Sequence, residues 1–555
     1  MATSGAAALG GGDAASGFAT RASSNALRFS ATWAHMRGLR LHLALQAARL
    51  RLPPLLALVA LAALARSSAG GGGGGGGARG ALLRPPSPLA VALLAALTYG
   101  VQRVASYVAS VLIMPGQRAH RALFEWLSAP PGAPPVWNAA AELAKRRLLP
   151  AGARPGCRQQ ADMLRGHERE LRRLREAMFA PRLPDPAWPG LGASRLRLAT
   201  PDGGVIDGAL FGRALLAPRA AGAAPWDRAC RGVLVYFGGN FEHFECAGHF
   251  AQWPARHGLA VVLINYRYYG ESGPERGGGG GSGGSGGSGD RDDGSYVTRE
   301  SGVVDVATAL AFVGAPVEEG GLGVPLARTV VLGHSIGGAL SAEAALFFPG
   351  PAGPSAAEEG GAAASSGAGA AASAVQAPSL LSAAYRALVP GAAAAACRTA
   401  RAGPLVVNDR SLGLMSTEAC HLLPAIEHFA AGPAAATWRA RAVVWAFVSL
   451  IRNAAAWEMD AVGAWRRLAP GRKLVVVHPL DGVIKGPARL LAALAAAGAT
   501  RAEAGCVLVM AELPGDAAHE GAAAHNRALS RDELARFMRC VGAALDERRD
   551  LGDAA

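Results

Sequence analysis

Residues 329–338 read TVVLGHSIGG, and an alanine-rich stretch follows to Ala345. A short unbroken apolar run that passes through Gly333-His334-Ser335-Ile336-Gly337 into a helix-forming segment predicts a strand, a sharp turn and a helix, with Ser335 at the apex. Such a turn strains the backbone of its central residue. Only small residues two positions to either side leave room for the strand to meet the helix. The helix N-terminus behind the serine also favours negative charge developing there. A serine in a glycine-rich turn is by itself often only a turn. The strand before it and the helix after it make Ser335 a candidate nucleophile.

Outward from that turn the chain repeats one theme: a short apolar strand, a glycine-containing turn and a helix. Strands are expected at 233–237, 261–266, 329–333, 404–407, 473–478 and 506–513, preceded by a β-hairpin in which Leu196 and Leu198 are joined through Pro-Asp-Gly-Gly to Val205 and Ile206. Uniformly apolar strands spaced by helices imply an α/β protein with a mainly parallel sheet and helices on both faces. Two low-complexity insertions interrupt the series, a Gly/Ser run at about 277–289 and an Ala/Gly/Ser-rich stretch at about 350–401. Both fall between expected elements, where extra loop length costs little.

A serine hydroxyl needs a base, and the base an orienting acid. Past the strand at 473–478 the sequence continues to Asp481, the expected acid; Asp409, just after an earlier strand, is the alternative. Past the strand at 506–513 lies His519, the expected base, with His525 six residues on as a rival. His334 and His478, beside strand ends, read more simply as packed or hydrogen-bonded neighbours. Charge developing on a substrate oxygen needs at least two fixed donors. The backbone N–H of Ile336 is one. The turn Gly238-Gly239-Asn240 should supply the other, from Asn240 first and Gly239 next.

YFGGN at 236–240, NYRYYGESG at 265–273, GHSIGG at 333–338, DGVI at 481–484 and the late His519 together resemble the α/β-hydrolase superfamily in motif order, over roughly 194–545. VNDRSLGLMS at 407–416 is similar to a segment of a lid-poor branch of that superfamily. In that branch His is common where this chain has Gly238. The resemblance implies an α/β-hydrolase fold and a Ser-Asp-His triad of Ser335, Asp481 and His519, with Ile336 and Asn240 as the oxyanion hole. It implies acyl transfer on an ester or thioester. A non-catalytic hydrolase-fold binding protein and an acyltransferase using the same site are the alternatives. The apolar, Trp-containing run 442–451 is either a core helix or one wall of an acyl-chain pocket.

Composition narrows the partners. Between 1 and 124 there are twelve Arg, no Lys and a single acid, Asp13, so +11 of the net charge of +14 lies there and +3 in all the rest. An Arg- and Ala-rich, acid-poor start resembles an organelle transit peptide, and 89–114 is apolar enough for a transmembrane or interfacial helix. The expected organisation is therefore a targeting and membrane-associated region at 1–130, a helical linker at 131–193 and the hydrolase domain at 194–555. The location expected from it is membrane-associated, in plastid or mitochondrion. The near-neutral remainder gives no basis for a nucleic-acid partner, so an acyl-ester or lipid-like substrate is the expected one. Glu242, His243, Glu245, Cys246 and His249 cluster in sequence, but at a turn entering a helix and with no matching ligand set elsewhere. No metal and no cofactor is expected. Seven scattered cysteines with no C-x-x-C pair indicate no disulfide framework.

Overall fold

The computed structural model describes residues 26–36, 39, 40, 43, 154–180, 193–216, 230–240, 242–274, 297–348, 403–415, 417, 418, 444, 448, 458–484, 486–514, 516 and 522–552. Their strands are β1 (Leu27–Ser30), β2 (Ser194–Ala199), β3 (Gly204–Phe211), β4 (Gly232–Phe237), β5 (Leu259–Ile264), β6 (Gly273–Pro274), β7 (Thr329–His334), β8 (Leu405–Asp409), β9 (Lys473–Val477) and β10 (Cys506–Val509). The helices used below are α1 (Arg154–Phe179), α2 (Gly248–Arg256), α3 (Arg299–Gly314), α4 (Ile336–Ala345), α5 (Ala461–Arg467), α6 (Leu490–Ala496), α7 (Arg501–Ala504), α8 (Ala522–Asn526) and α9 (Arg531–Gly552).

One sheet runs in the order β1-β2-β3-β5-β4-β7-β8-β9-β10, with the short β6 paired to β3. Pairing is antiparallel where β3 meets β2, β5 and β6, and parallel everywhere else. This is the α/β-hydrolase sheet, with β4 and β5 exchanged relative to chain order. The strands expected from the sequence lie within a few residues of those observed. The largest difference is at the last, which leaves the sheet after Val509 rather than at Leu513.

Alternation along each strand explains why the strands read as continuous apolar runs. Val233, Val235 and Phe237 of β4 pack on one face with buried residues of α3, α4, α5 and α6, whereas Leu234 and Tyr236 pack on the other with α2 and α9. Each face therefore demands its own apolar set. Helix α4 is buried along its whole length, which is why it is alanine-rich and has no polar stripe.

Two elements come from upstream of residue 194. Strand β1, in the region expected to serve targeting, extends the sheet in parallel beside β2. Helix α1 is held by Arg175, which reaches Asp207 of β3 at 3.7 Å, Glu271 at 2.5 Å and also Glu245. Asp207 is fully buried and is shared with Arg195 at 2.9 Å, so these guanidiniums offset a carboxylate that burial would otherwise make costly.

The expected transmembrane helix requires correction. No helix among the described residues is long and apolar enough to cross a membrane. The stretch 89–114 itself lies outside the described residues, as does most of 442–451. The membrane-associated location drew on that helix and the organellar one on the basic leader; with no membrane-spanning helix among the described residues, the membrane-associated, organellar location is not supported.

The neck of the insertion at 350–401 is closed by one side chain. Arg472, just before β9, donates from Nε to Pro404 O at 3.0 Å and from Nη2 to Ala345 O at 3.4 Å, bridging the two ends of the connection from α4 to β8. With its ends fixed, loop length enters stability only logarithmically. Replacing 351–400 by a short Gly/Ser linker is expected to raise stability by about 1 kcal/mol, two halvings of loop length. Arg472→Ala should cost about 2 kcal/mol, because buried carbonyls lose their donor. Denaturant unfolding reads both. A loss of more than about 2 kcal/mol on shortening the loop would show that the insertion contributes to the core.

Candidate active site

Ser335 sits between β7 and α4 with φ 54° and ψ −126°, in the left-handed half of the map where a residue with a side chain is strained. The neighbouring glycines are steric necessities. A Cβ on Gly337 would lie 2.6 Å from Phe237 O and 2.7 Å from Gly238 O, and one on Gly333 would overlap the carbonyl of Gly337. The elbow is tied sideways as well, by Ser335 N donating to Asp409 O at 2.9 Å. Ile336 is the first residue of α4, so its N–H has no acceptor within the helix and lies beside the serine.

Two strands along the sheet from β7, Asp481 follows the end of β9 and is buried. Its Oδ1 accepts from Val483 N at 3.0 Å and Ile484 N at 3.1 Å, which aims the carboxylate. Both of its oxygens lie against His525 Nδ1, at 3.1 and 3.0 Å. His525 belongs to α8, and its ring lies 4.9 Å, centroid to centroid, from that of His334, the residue before Ser335, tilted by 37°. Burial pushes the His525 pKa below its usual value, against the hydrogen bond that its Nδ1 donates to Asp481, and the charges of His334 and Arg410 push the same way as burial. The histidine paired with the acid is thus the rival, His525. His519 lies outside the described residues. Asp409 has both oxygens taken by its neighbour Arg410, at 2.8 Å each, and that guanidinium holds its carboxyl below the usual range against burial.

The turn after β4 approaches from the other side. A Cβ on Gly239 would be 3.0 Å from Ser335 Cβ, so this turn runs directly over Ser335. Gly239 N is already committed, donating to Glu242 Oε2 at 2.8 Å. Asn240 follows it, its side-chain Oδ1 fixed by the Tyr269 hydroxyl at 2.9 Å. Glu242 folds back over the turn, and a Cβ on Gly238 would meet its Cβ at 2.8 Å. That is the physical reason for glycine where the resemblance leads one to expect histidine. Glu242 Oε2 also pairs with His334 Nδ1 at 2.9 Å, and Oε1 accepts from the Tyr236 hydroxyl. Burial resists its ionisation, but the bond and charge of His334, with Tyr236 and Gly239, hold it at about 2.

Two arginines brace this edge. Arg410, itself at φ 48°, donates from Nη1 to Ala524 O at 3.1 Å and Arg527 O at 2.6 Å, the carbonyls on either side of His525. Arg267 of the NYRYYGESG motif grips Asp305 of α3 at 2.6 Å and Asp202 at 2.8 Å, fixing the loop whose Tyr266 lies against Gly337 of the elbow and whose Tyr269 bonds Asn240 of the turn after β4. Neither arginine was singled out by sequence. The available signals were the two quoted motifs that hold them, NYRYYGESG for Arg267 and VNDRSLGLMS for Arg410.

The acidic and histidine cluster at 242–249 is dispersed among separate partners. Glu242 faces His334, Glu245 faces Arg175 and Asn265, and Cys246 is exposed. Among the described residues no group of three or more His, Cys, Asp or Glu could hold a metal ion. His478 Nε2 pairs with Asp516 at 2.8 Å and its Nδ1 accepts from Leu480 N, so this second His-Asp pair is spent on holding the loop after β10 to the loop after β9.

No protein-family model matches the chain, and no curated protein matches it. Solved structures do. An esterase from Pyrococcus furiosus is 11% identical, with 64% of this chain and 91% of that one covered and a TM-score of 0.32. An acetyl xylan esterase from Paenibacillus sp. R4 is 19% identical over 68% and 93%, with a TM-score of 0.35. Brefeldin A esterase, described as a bacterial homologue of human hormone sensitive lipase, is 16% identical over 68% and 82%, with a TM-score of 0.30. At these scores the chain's own sheet decides its class. With β4 and β5 exchanged, a glycine-flanked elbow after β7, an acid after β9 and a histidine after β10 all meeting at one edge, the chain has the α/β-hydrolase fold.

Proposed function

We propose that the chain is a serine hydrolase that cleaves an acyl ester or thioester, with Ser335 as nucleophile, His525 as base and Asp481 as orienting acid. The observation that supports this most is the double contact of His525 Nδ1 with Asp481, made by a ring lying beside the residue preceding Ser335. With Nδ1–H donated to the carboxylate, Nε2 is left as the lone-pair nitrogen a base requires.

In this reading Ser335 Oγ attacks the acyl carbonyl as His525 Nε2 takes its proton. The oxyanion is held by the N–H groups of Ile336 and Asn240. The imidazolium, stabilised by Asp481, returns the proton to the leaving alcohol or thiol. Water then repeats the cycle on the acyl-enzyme, with His525 again as base. A base whose pKa lies below the ordinary imidazole value is ready in its neutral form at pH 7.

Ser335→Ala is expected to leave the fold intact, to block covalent labelling by a fluorophosphonate and to lower turnover of a short activated ester by on the order of 10⁶. Labelling that persists in the variant would remove Ser335 from the role. A labelled wild-type chain that turns over no ester in water, but does so when an acceptor alcohol is added, would mark an acyltransferase.

Two pairs of substitutions rank the partners. Asp481→Asn should cost about 10⁴ in turnover through loss of tautomer and counter-charge, and Asp409→Asn far less. His525→Ala should cost a factor near that of the serine, and His519→Ala much less. If His519→Ala is the more damaging, the base is the residue first expected from the sequence.

A further inference from the structure

The triad leaves one buried pair unused. His334, inside the elbow, has acceptors on both ring nitrogens: Glu242 Oε2 faces Nδ1 at 2.9 Å, and the main-chain oxygen of His525 faces Nε2 at 3.0 Å. A neutral imidazole has one N–H and satisfies one such acceptor; satisfying both takes the imidazolium. Each contact also reaches part of the proposed machinery. The Glu242 oxygen that meets His334 is the one that accepts from Gly239 N in the oxyanion turn, and the carbonyl belongs to the base itself.

We propose that His334, as an imidazolium paired with Glu242, is a positioning residue that ties the oxyanion turn to the base helix and, through its charge, keeps His525 neutral. This rests on the proposed roles of Ser335 and His525. The geometry requires a cation with two in-plane donors roughly opposite one another, which asparagine does not supply. Gly238 completes the arrangement, since any side chain there would displace Glu242.

The electrostatic surroundings agree. Burial works against a charged ring at His334, but the hydrogen bond from Glu242 and the charges of Asp409 and Glu242 outweigh it, and Arg410 opposes them, leaving the pKa above its usual value. Tyr236 reaches the pair through Glu242, and His525 faces it ring to ring. A pKa raised on folding means that the tie is fully present below the ordinary imidazole value of about 6.5 and is lost as pH rises through the raised one. The same charge lowers the affinity of His525 for a proton. His334 should therefore shape both limbs of the pH profile: an acid limb set by His525 and held low by its neighbour, and a basic limb set by His334 itself.

The experiment is the pH dependence of kcat/KM for an activated ester, on the full chain, for wild type, His334→Asn and Glu242→Gln, with fluorophosphonate labelling to count active sites and thermal unfolding to verify the fold. His334→Asn is expected to lower kcat/KM by about tenfold near neutrality through misplacement of donors and base. It should move the acid limb to higher pH and abolish the basic limb. Glu242→Gln should keep a basic limb but move it to lower pH. Uniform loss of activity with both limbs unmoved overturns the proposal. Should either variant fail to fold, the ¹⁵N shifts of the wild-type histidine rings decide: one ring that stays doubly protonated as pH rises past the ordinary imidazole value of about 6.5 is expected, and the absence of any overturns it. Failure of wild type to label at all would instead defeat the serine-hydrolase reading, so the two are separable.

Discussion

The φ of Ser335 is the constraint on which this edge of the molecule depends. A non-glycine residue in that region costs of order 1–3 kcal/mol and persists only where its surroundings over-determine it. Here they do. β7 lies inside the sheet between β4 and β8, α4 is buried over its whole length, and the elbow N–H is bonded to the end of β8. Once that backbone is imposed, Gly333 and Gly337 follow from sterics. The N–H of Ile336 is left without an internal partner, and the turn after β4 is brought against the serine from the opposite side. The strand order reverses between β4 and β7, and a sheet of this kind opens a crevice at the carboxyl ends of its strands there.

The histidine side of the site is held differently. Helix α8 is a five-residue element with little apolar surface of its own, so hydrogen bonds must place it. Arg410 binds the carbonyls of Ala524 and Arg527, His334 binds that of His525, and Arg527 is itself paired with Glu533 and Asp516. Buried ion pairs of this kind add little net stability over apolar replacements, but they leave an uncompensated charge in any other arrangement. They select one position for His525 instead of deepening the well.

What was legible in the sequence divides along the same line. The strands and the elbow were readable because sterics and two-sided burial write themselves into composition: unbroken apolar runs, glycine at fixed offsets, an alanine-rich helix. Asp481 was readable because it stands directly past an apolar strand. His525 was weighed against His519 but not preferred, because nothing in the spacing of a loop after the last strand says that His525 is set against Asp481. What holds it there is Arg410, more than a hundred residues away, bonded to the carbonyls of Ala524 and Arg527. The Glu242 to His249 cluster looked like one site in sequence and became several in space, its members claimed by His334, Arg175 and Asn265. β1 was unreadable for a related reason: four residues in a basic, low-complexity region take strand form by pairing with β2, not by their own pattern.

The placement of the long insertion shows how such a chain keeps a working edge. In a parallel sheet every connection from a helix back to a strand ends at the amino edge, away from the carboxyl ends where Ser335 and Asp481 lie. The stretch at 350–401 is such a connection, between α4 and β8, and Arg472 closes its neck. The segment leaving β8 goes the other way, into the site, and it is pinned at once. Leu412 bridges Arg489, Leu414 bridges Asp460, and Gly413 N bonds Ala488 O at 2.7 Å. VNDRSLGLM is therefore a seam in which Asp409 and Arg410 brace α8 while the next residues lock onto the start of α5 and α6. The connection at 350–401 rejoins the sheet where there is no chemistry to place, and specific sequence resumes where the chain turns back toward the serine.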